Sequence, residues 1–400
     1  MAAKKSELTL PANSTKWVIL ILVSVTLFSA YFFVEAISPL NPILESRYQW
    51  TEGSFTFFSL SKYLLILIGL LYFGGKLLDR FNERVIGLIS VLVLLGGAYL
   101  TLFGLTNGLP NNKLLYDFLQ NTFSNTPPSL IVGSIGFAIF GLGLELTTIS
   151  ILKLLQRWFF DKHLGFAIGF LIAFSKLGAL LAAIFTADFA GLSQVFGLPH
   201  GNLSYPLLFG NALIFIGMLT FLTFILFDKP EHNKDRIDNL KAYKILRKSK
   251  FVIFKNYKLI FYVIIFGIFY SISNLYTNEV MKISLDENSL QFILRILLPL
   301  SIILFAPIGG RLFDKKTKMH KFLYASGISF LISFVLYIIF QDISILLIVA
   351  VVLFGASYSV TITVLLAYFS REVQHKNSGT SFAVLFWIQT IILTIFLQLF

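Results

Sequence analysis

Eleven apolar runs separated by short polar loops leave this 400-residue chain few ways to fold. A helix crossing lipid needs about 20 mostly apolar residues. Runs of that kind are expected to span near 17–38, 54–75, 85–106, 129–153, 164–191, 204–227, 258–277, 289–310, 322–340, 343–369 and 379–400. They are too long and too uniformly apolar for barrel strands. Backbone amides in hydrocarbon must also bond within their own segment, so the expected fold is an all-α integral membrane protein. The chain is 56% hydrophobic and 13% charged, more apolar surface than a soluble core could hide.

The charges that remain are placed with a bias. Of 32 Lys and Arg, 26 fall in the N-terminal tail or in every second loop after it, and only Arg47, Lys113 and Lys282 fall in the alternate loops. By the positive-inside rule the N-terminus is expected to be cytoplasmic. The net charge of +12 therefore suits anionic lipid headgroups and topology, and no nucleic-acid partner is expected. There is no cysteine, so thiolate chemistry is excluded. That absence points toward a bacterial source but fixes no compartment, and the expected location of such a multi-pass chain is the bacterial inner (plasma) membrane. The polar first 16 residues read as a retained tail before a first spanning helix, not as a cleaved leader.

The chain also repeats itself. GGKLLDRFNERV begins at Gly74 and GGRLFDKKTKMH at Gly309, which aligns Gly75, Asp79 and Arg80 with Gly310, Asp314 and Lys315 at a spacing of 235. FGLGLELTTISI from Phe140 and FGASYSVTITVL from Phe354 align at a spacing of 214. Spans two to five thus resemble spans eight to eleven in order and direction. Two parallel six-helix halves are one known plan for a transporter with its site at mid-membrane. The expected organisation is a tail over 1–16, a six-helix bundle over 17–227, a basic linker over 228–257 and a second bundle over 258–400 that lacks a twelfth span.

The pattern Gly75, Leu77, Asp79, Arg80 and Arg84 after the second span resembles the inside-loop signature of the major facilitator superfamily, with Asn82 in place of its usual glycine. The resemblance implies two pseudo-symmetric bundles. It implies a gating role for Gly75, Asp79, Arg80, Arg84 and, in the weaker copy, Asp314. Asp79 would face the start of the eleventh helix near Ser378 and Gly379, a favourable place for a carboxylate. YFFVEAISPLNP, FFSLSKY, GLELTTISILKLLQRWFFDKHLGFAIGFLIAFSKLGA and FGASYSVTITVLLAYF look similar to the lysosomal dipeptide uniporter branch and its bacterial relatives. In that branch a Glu on the fourth helix holds the peptide amine and an Arg on the fifth holds its carboxylate. Glu145 and Lys176 occupy those positions. The change to Lys replaces a planar fork with a point charge. An acid on the first helix is also typical of the branch, and Glu35 stands there. Lysosomal relatives use a glycosylated accessory partner, on which this sequence is silent.

The spans themselves carry an argument independent of family. An ionised side chain at helix centre costs about 2.5–3.5 kcal/mol on insertion scales. Even so, Glu35, Lys62, Glu145, Lys176, Asp188 and Arg295 lie within spans. Asp188 lies near the outer end of span five, within reach of water; the remaining acids on spans one and four and bases on two, five and eight suit a hydrated cavity holding a zwitterion. Buried pairs seldom outdo apolar packing for stability, which favours a functional reading of Glu145, Lys176 and Arg295, with Lys62 and Glu35 open to either reading. Tyr270 and Asn274 are four apart on one face of span seven. With Tyr358 and Gln389 they could add neutral hydrogen bonds to substrate, or simply join helices.

The expected function is secondary transport of a small zwitterion, such as a dipeptide or amino-acid-like molecule, by alternating access. A proton is a possible co-substrate through Glu35 or Glu145. An organic-anion transporter is the nearest alternative, since three bases face two acids. A channel or non-transporting scaffold is the alternative of another class, and it lacks the one-sign ring a channel would want. No phosphate loop, metal cluster or nucleophile with a base is evident, so neither enzymatic activity, a cofactor nor a metal is expected.

Overall fold

The computed structural model describes residues 12–160, 162–191, 202–228, 257–281, 290–315, 319–339 and 344–399. The expected linker over 228–257 and Lys282 lie almost wholly outside them. The described secondary structure is helical throughout, and nine described helices are long and apolar enough to cross a membrane.

In chain order the spans are Ala12–Ala36 (span 1), a broken span 2, Glu83–Leu105 (3), Pro128–Phe159 (4), Leu164–Phe189 (5) and Ser204–Phe227 (6). The second series is Tyr257–Met281 (7), Leu290–Asp314 (8), Met319–Ile339 (9), Ser344–Glu372 (10) and Ser378–Leu399 (11). Span 2 is built from Glu52–Ser61, Leu64–Leu67 and Leu70–Arg80. Its breaks keep it out of the nine, and span 9, counted only over its described stretch Leu323–Ile339, is too short to join them.

Span 1 packs on spans 5 and 6, and span 3 on span 4. In the second series, span 10 packs on spans 8 and 9, and span 7 on span 11. The two halves meet where span 2 packs on span 11 and span 5 on span 8. Glycine makes both junctions close. A Cβ on Gly75 would stand 2.7 Å from the Gly379 carbonyl oxygen, and one on Gly310 would collide with the Gly165 carbonyl.

Several expected boundaries move. Span 2 runs to Arg80 and span 8 to Asp314, so Asp79 and Asp314 sit in last helical turns and not in loops. Span 4, expected to end at Lys153, continues through Arg157 to Phe159. Packing supplies the reason: both side chains are buried against neighbouring helices at the rim carrying Asp79, so the helix persists after the apolar run stops. The loop between spans 3 and 4 also folds, into Gly108–Asn111 and Lys113–Thr122.

Candidate substrate site and rim clamps

Span 2 breaks beside the centre of the protein. Lys62 ends its first segment, and Gly69, in the left-handed region at φ 87°, begins its last. Gly141 of span 4 packs directly on the Lys62 backbone carbonyl, where a Cβ would collide. Glu145 lies one turn further along the same face of span 4, and Lys62 is the cation within its Coulombic reach. The Lys62 ammonium stands 5.0 Å from the centre of the Tyr63 ring and 6.0 Å from that of Phe137.

Other expected residues converge here. Lys176 of span 5 lies within Coulombic reach of Glu35 and Lys62, and Arg295 of span 8 within reach of Glu35. Tyr270 and Tyr358 each lie near Tyr63, and Tyr270 also near Tyr31 and Glu145. Glu35, Lys62, Glu145 and Lys176 are half-buried, while Arg295 is buried and its Nε has no hydrogen-bond partner among the described residues. Carboxylates and cations from spans 1, 2, 4, 5 and 8 thus share one polar interior. Gln389 stands apart in this respect. Its backbone packs against Gly267 at the span 7–11 contact, and its buried Oε1 has no hydrogen-bond partner among the described residues. Asn274 is half-buried on span 7.

Tyr31 and Tyr63 are additions that sequence reasoning missed. Tyr31 lies near Glu145, Tyr358, Tyr63 and Glu35. Its position four residues before Glu35 on span 1 was the available clue. Among the described residues no group of three or more His, Cys, Asp or Glu could hold a metal.

At the rim carrying Asp79, two carboxylates bridge the halves. Asp79 accepts from the Gly379 N–H at 2.8 Å, the Thr380 N–H at 2.7 Å and the Thr380 hydroxyl at 2.6 Å. Lys153 of span 4 holds the same carboxylate at 2.7 Å and also donates to the Leu78 carbonyl. Asp314 accepts from the Gly165 and Phe166 N–H groups, both at 2.9 Å, and from Arg371 at 3.2 Å. Each carboxylate therefore caps the N-terminus of a helix in the other half, where N–H groups lack intrahelical partners. Between them the Gln156 amide donates to the Ser370 and Val373 carbonyls, at 2.6 and 2.8 Å.

The basic residues of the signature separate. Arg84 donates to the fully buried Asp228 at 2.7 Å, and Arg157 bonds the same oxygen while pairing with Glu83 at 2.9 Å. Arg80 is exposed, over its neighbour Phe81 at 5.7 Å. Lys153, Arg157, Glu83 and Asp228 were missed because they sit where apolar spans give way to charge, which hydropathy reads as loop. The four-residue step from Lys153 to Arg157 was the sign of one continuing helical face.

Three solved structures of the transporter XylE share this architecture. One, a proton:xylose symporter bound to 6-bromo-6-deoxy-D-glucose, is 14% identical with a TM-score of 0.70, covering 96% of this chain and 88% of that chain. A double-tryptophan variant of XylE is 14% identical at a TM-score of 0.69, covering 95% and 87%. The partially occluded inward-open form of XylE from E. coli is 13% identical at 0.58, covering 96% of each chain. No curated protein matches the chain by sequence. The family model described as Major Facilitator Superfamily matches residues 23–396. Helical halves, bridged at one rim around a charged interior, are therefore the frame of a membrane transporter and not of an enzyme, and the chain belongs to the Major Facilitator Superfamily.

Proposed function

We propose that this transporter carries a small zwitterion, of the dipeptide or amino-acid class, by alternating access. One observation carries the reading: Glu145 and Glu35 share a single interior with Lys62, Lys176 and Arg295. Glu145 receives the substrate ammonium, and Lys176, with Arg295 from the other half, receives the carboxylate. Spans 5 and 8 belong to different halves, so a substrate held by both stabilises their approach. The resemblance of Glu145 and Lys176 to the dipeptide branch supports the same assignment.

Asp79 and Asp314 act as clamps on the rim that the charge bias makes cytoplasmic. Formed together they close that side, so this conformation faces outward or is occluded. The location that follows is a plasma membrane with the N-terminus inside, and a proton gradient is the candidate driving force. Lysine at 176 gives up bidentate carboxylate recognition, and Arg295 restores a fork from the opposite half.

The test is uptake of a labelled dipeptide into proteoliposomes, with and without a pH gradient, beside a small dicarboxylate. Glu145→Gln is expected to cost ~2 kcal/mol or more in dipeptide affinity, roughly thirty-fold, while sparing the dicarboxylate. Unchanged dipeptide uptake by this variant would overturn the ammonium assignment. A second reading, organic-anion transport, rests on three bases against two acids in the interior. Preferential dicarboxylate uptake by the wild-type chain would select it.

A further inference from the structure

The helix Lys113–Thr122 lies in the loop between spans 3 and 4, at the opposite end of the bundle from the Asp79 and Asp314 clamps. Asn112 caps its start by accepting from the Leu115 N–H at 3.3 Å, so it is a defined helix. Its residues divide into three faces. Leu115, Tyr116 and Leu119 pack on Leu100, Phe103, Leu109, Ile131 and Val132, which fixes the helix against the ends of spans 3 and 4. Lys113, Asp117, Gln120 and Asn121 form an exposed polar face.

The third face has no partner among the described residues. Leu114 and Phe118, four residues apart on one flank, are 84% and 60% exposed. Clustered exposed side chains of this size mark a surface that meets something apolar. The lipid-facing belt of the spans supplies it. Phe103 and Ile131, beneath the helix, are each one turn from Tyr99 and Ile135, which are 63% and 52% exposed on spans 3 and 4. The unpartnered flank is therefore attached at the edge of the surface the spans present to hydrocarbon.

We propose that Lys113–Thr122 is an interfacial helix that lies along the membrane surface opposite the clamps and sinks Leu114 and Phe118 into lipid. A packed face, a polar face and an apolar flank are what a helix in the plane of the headgroups requires. Anchored so, it ties the outer ends of spans 3 and 4 to the bilayer.

The chain has no cysteine, so single-cysteine variants can be labelled directly. Leu114→Cys, Asp117→Cys and Phe118→Cys would each carry a nitroxide in phosphatidylcholine proteoliposomes. Collision with oxygen, which concentrates in lipid, is compared with collision with a water-soluble nickel chelate. Oxygen access several-fold above nickel access at 114 and 118, with the reverse at 117, supports the proposal. Nickel access at 114 and 118 equal to that at 117 overturns it, because the flank then faces water. Shielding from both probes also overturns it, since protein, such as a second copy, then covers the flank. All three sites are exposed, and retained uptake by each labelled variant establishes that the fold survives.

Discussion

The two rim clamps are copies of one device and are unequal. Asp79 takes three bonds from span 11, two backbone N–H groups and the Thr380 hydroxyl, whereas Asp314 takes two from span 5. Phe166 stands where Thr380 stands in the other half, at the same spacing of 214, and it has no hydroxyl to give. The cations that orient the two carboxylates differ as well. Lys153 is nearly buried beside Asp79, while the Arg371 side chain beside Asp314 is 27% exposed. Arg371 stands 214 residues after Arg157, yet Arg157 is engaged with Glu83 and Asp228. The first half therefore divides these tasks between two cations. Symmetry of architecture does not bring symmetry of strength.

If that inequality governs the conformational balance, Asp79→Asn has the largest effect. It removes the charge from three bonds that exist only when the rim is closed, each worth about 1.5–3 kcal/mol to a charged acceptor. Asparagine still accepts, so a net loss of ~3 kcal/mol is expected, enough to shift the closed-to-open ratio by roughly a hundred-fold. Distances between spin labels at Lys76→Cys and Lys315→Cys, two exposed positions on opposite halves, report this directly. A long-distance population should dominate. Asp314→Asn should shift the same distribution in the same direction and by less, ~2 kcal/mol for two bonds. Equal shifts would mean that the third bond contributes nothing.

Much of this architecture was legible in the sequence because lipid is a demanding solvent. Every run that must cross hydrocarbon stays apolar, so span number and order can be read directly, and any charge left inside, such as Glu145 or Lys176, stands out. The rim did not read so easily. At Lys153, Arg157 and Asp228 charge is tolerated because protein surrounds it and opposite charge meets it, a tertiary fact with no trace in hydropathy. The breaks in span 2 are hidden for a related reason. Lys62 to Gly69 contains no proline and only one glycine, and the break is fixed where Gly141 meets the Lys62 carbonyl. Tyr31 and Tyr63 escaped notice because tyrosine is ordinary in a membrane helix until its neighbours are known.

Thr380→Val sharpens the comparison further by making the first clamp resemble the second. The backbone N–H bonds to Asp79 remain and only the hydroxyl is lost, so ~1.5 kcal/mol is expected, roughly a ten-fold shift toward the open rim. The reciprocal change, Phe166→Thr, offers Asp314 a third donor and should move the balance the other way, though by less. Threonine gives up the ring contacts of Phe166 with Trp17 and Phe170 and the stacking of Arg311 on that ring. A shift toward opening on Phe166→Thr would show that ring packing outweighs the hydroxyl.

The smallest effect belongs to a residue the signature puts at its centre. Arg80 is exposed, and the signature alone gives it the same standing as Asp79. Its only described partner is the ring of Phe81 beside it in the same half, a contact that opening the rim does not break. Arg80→Ala should therefore leave the label distances unchanged within error, since an exposed cation–π contact is worth about 0.5–1 kcal/mol at most and is present in both states. Arg84→Ala is the matched comparison. It removes one of two guanidinium donors to buried Asp228, so it should lower thermal stability while also leaving the distances in place. If Arg80→Ala opened the rim as far as Thr380→Val, the bridge between the halves would have to run through charge in the surrounding lipid or loops, and the count of hydrogen bonds at the two carboxylates would no longer explain which clamp is stronger.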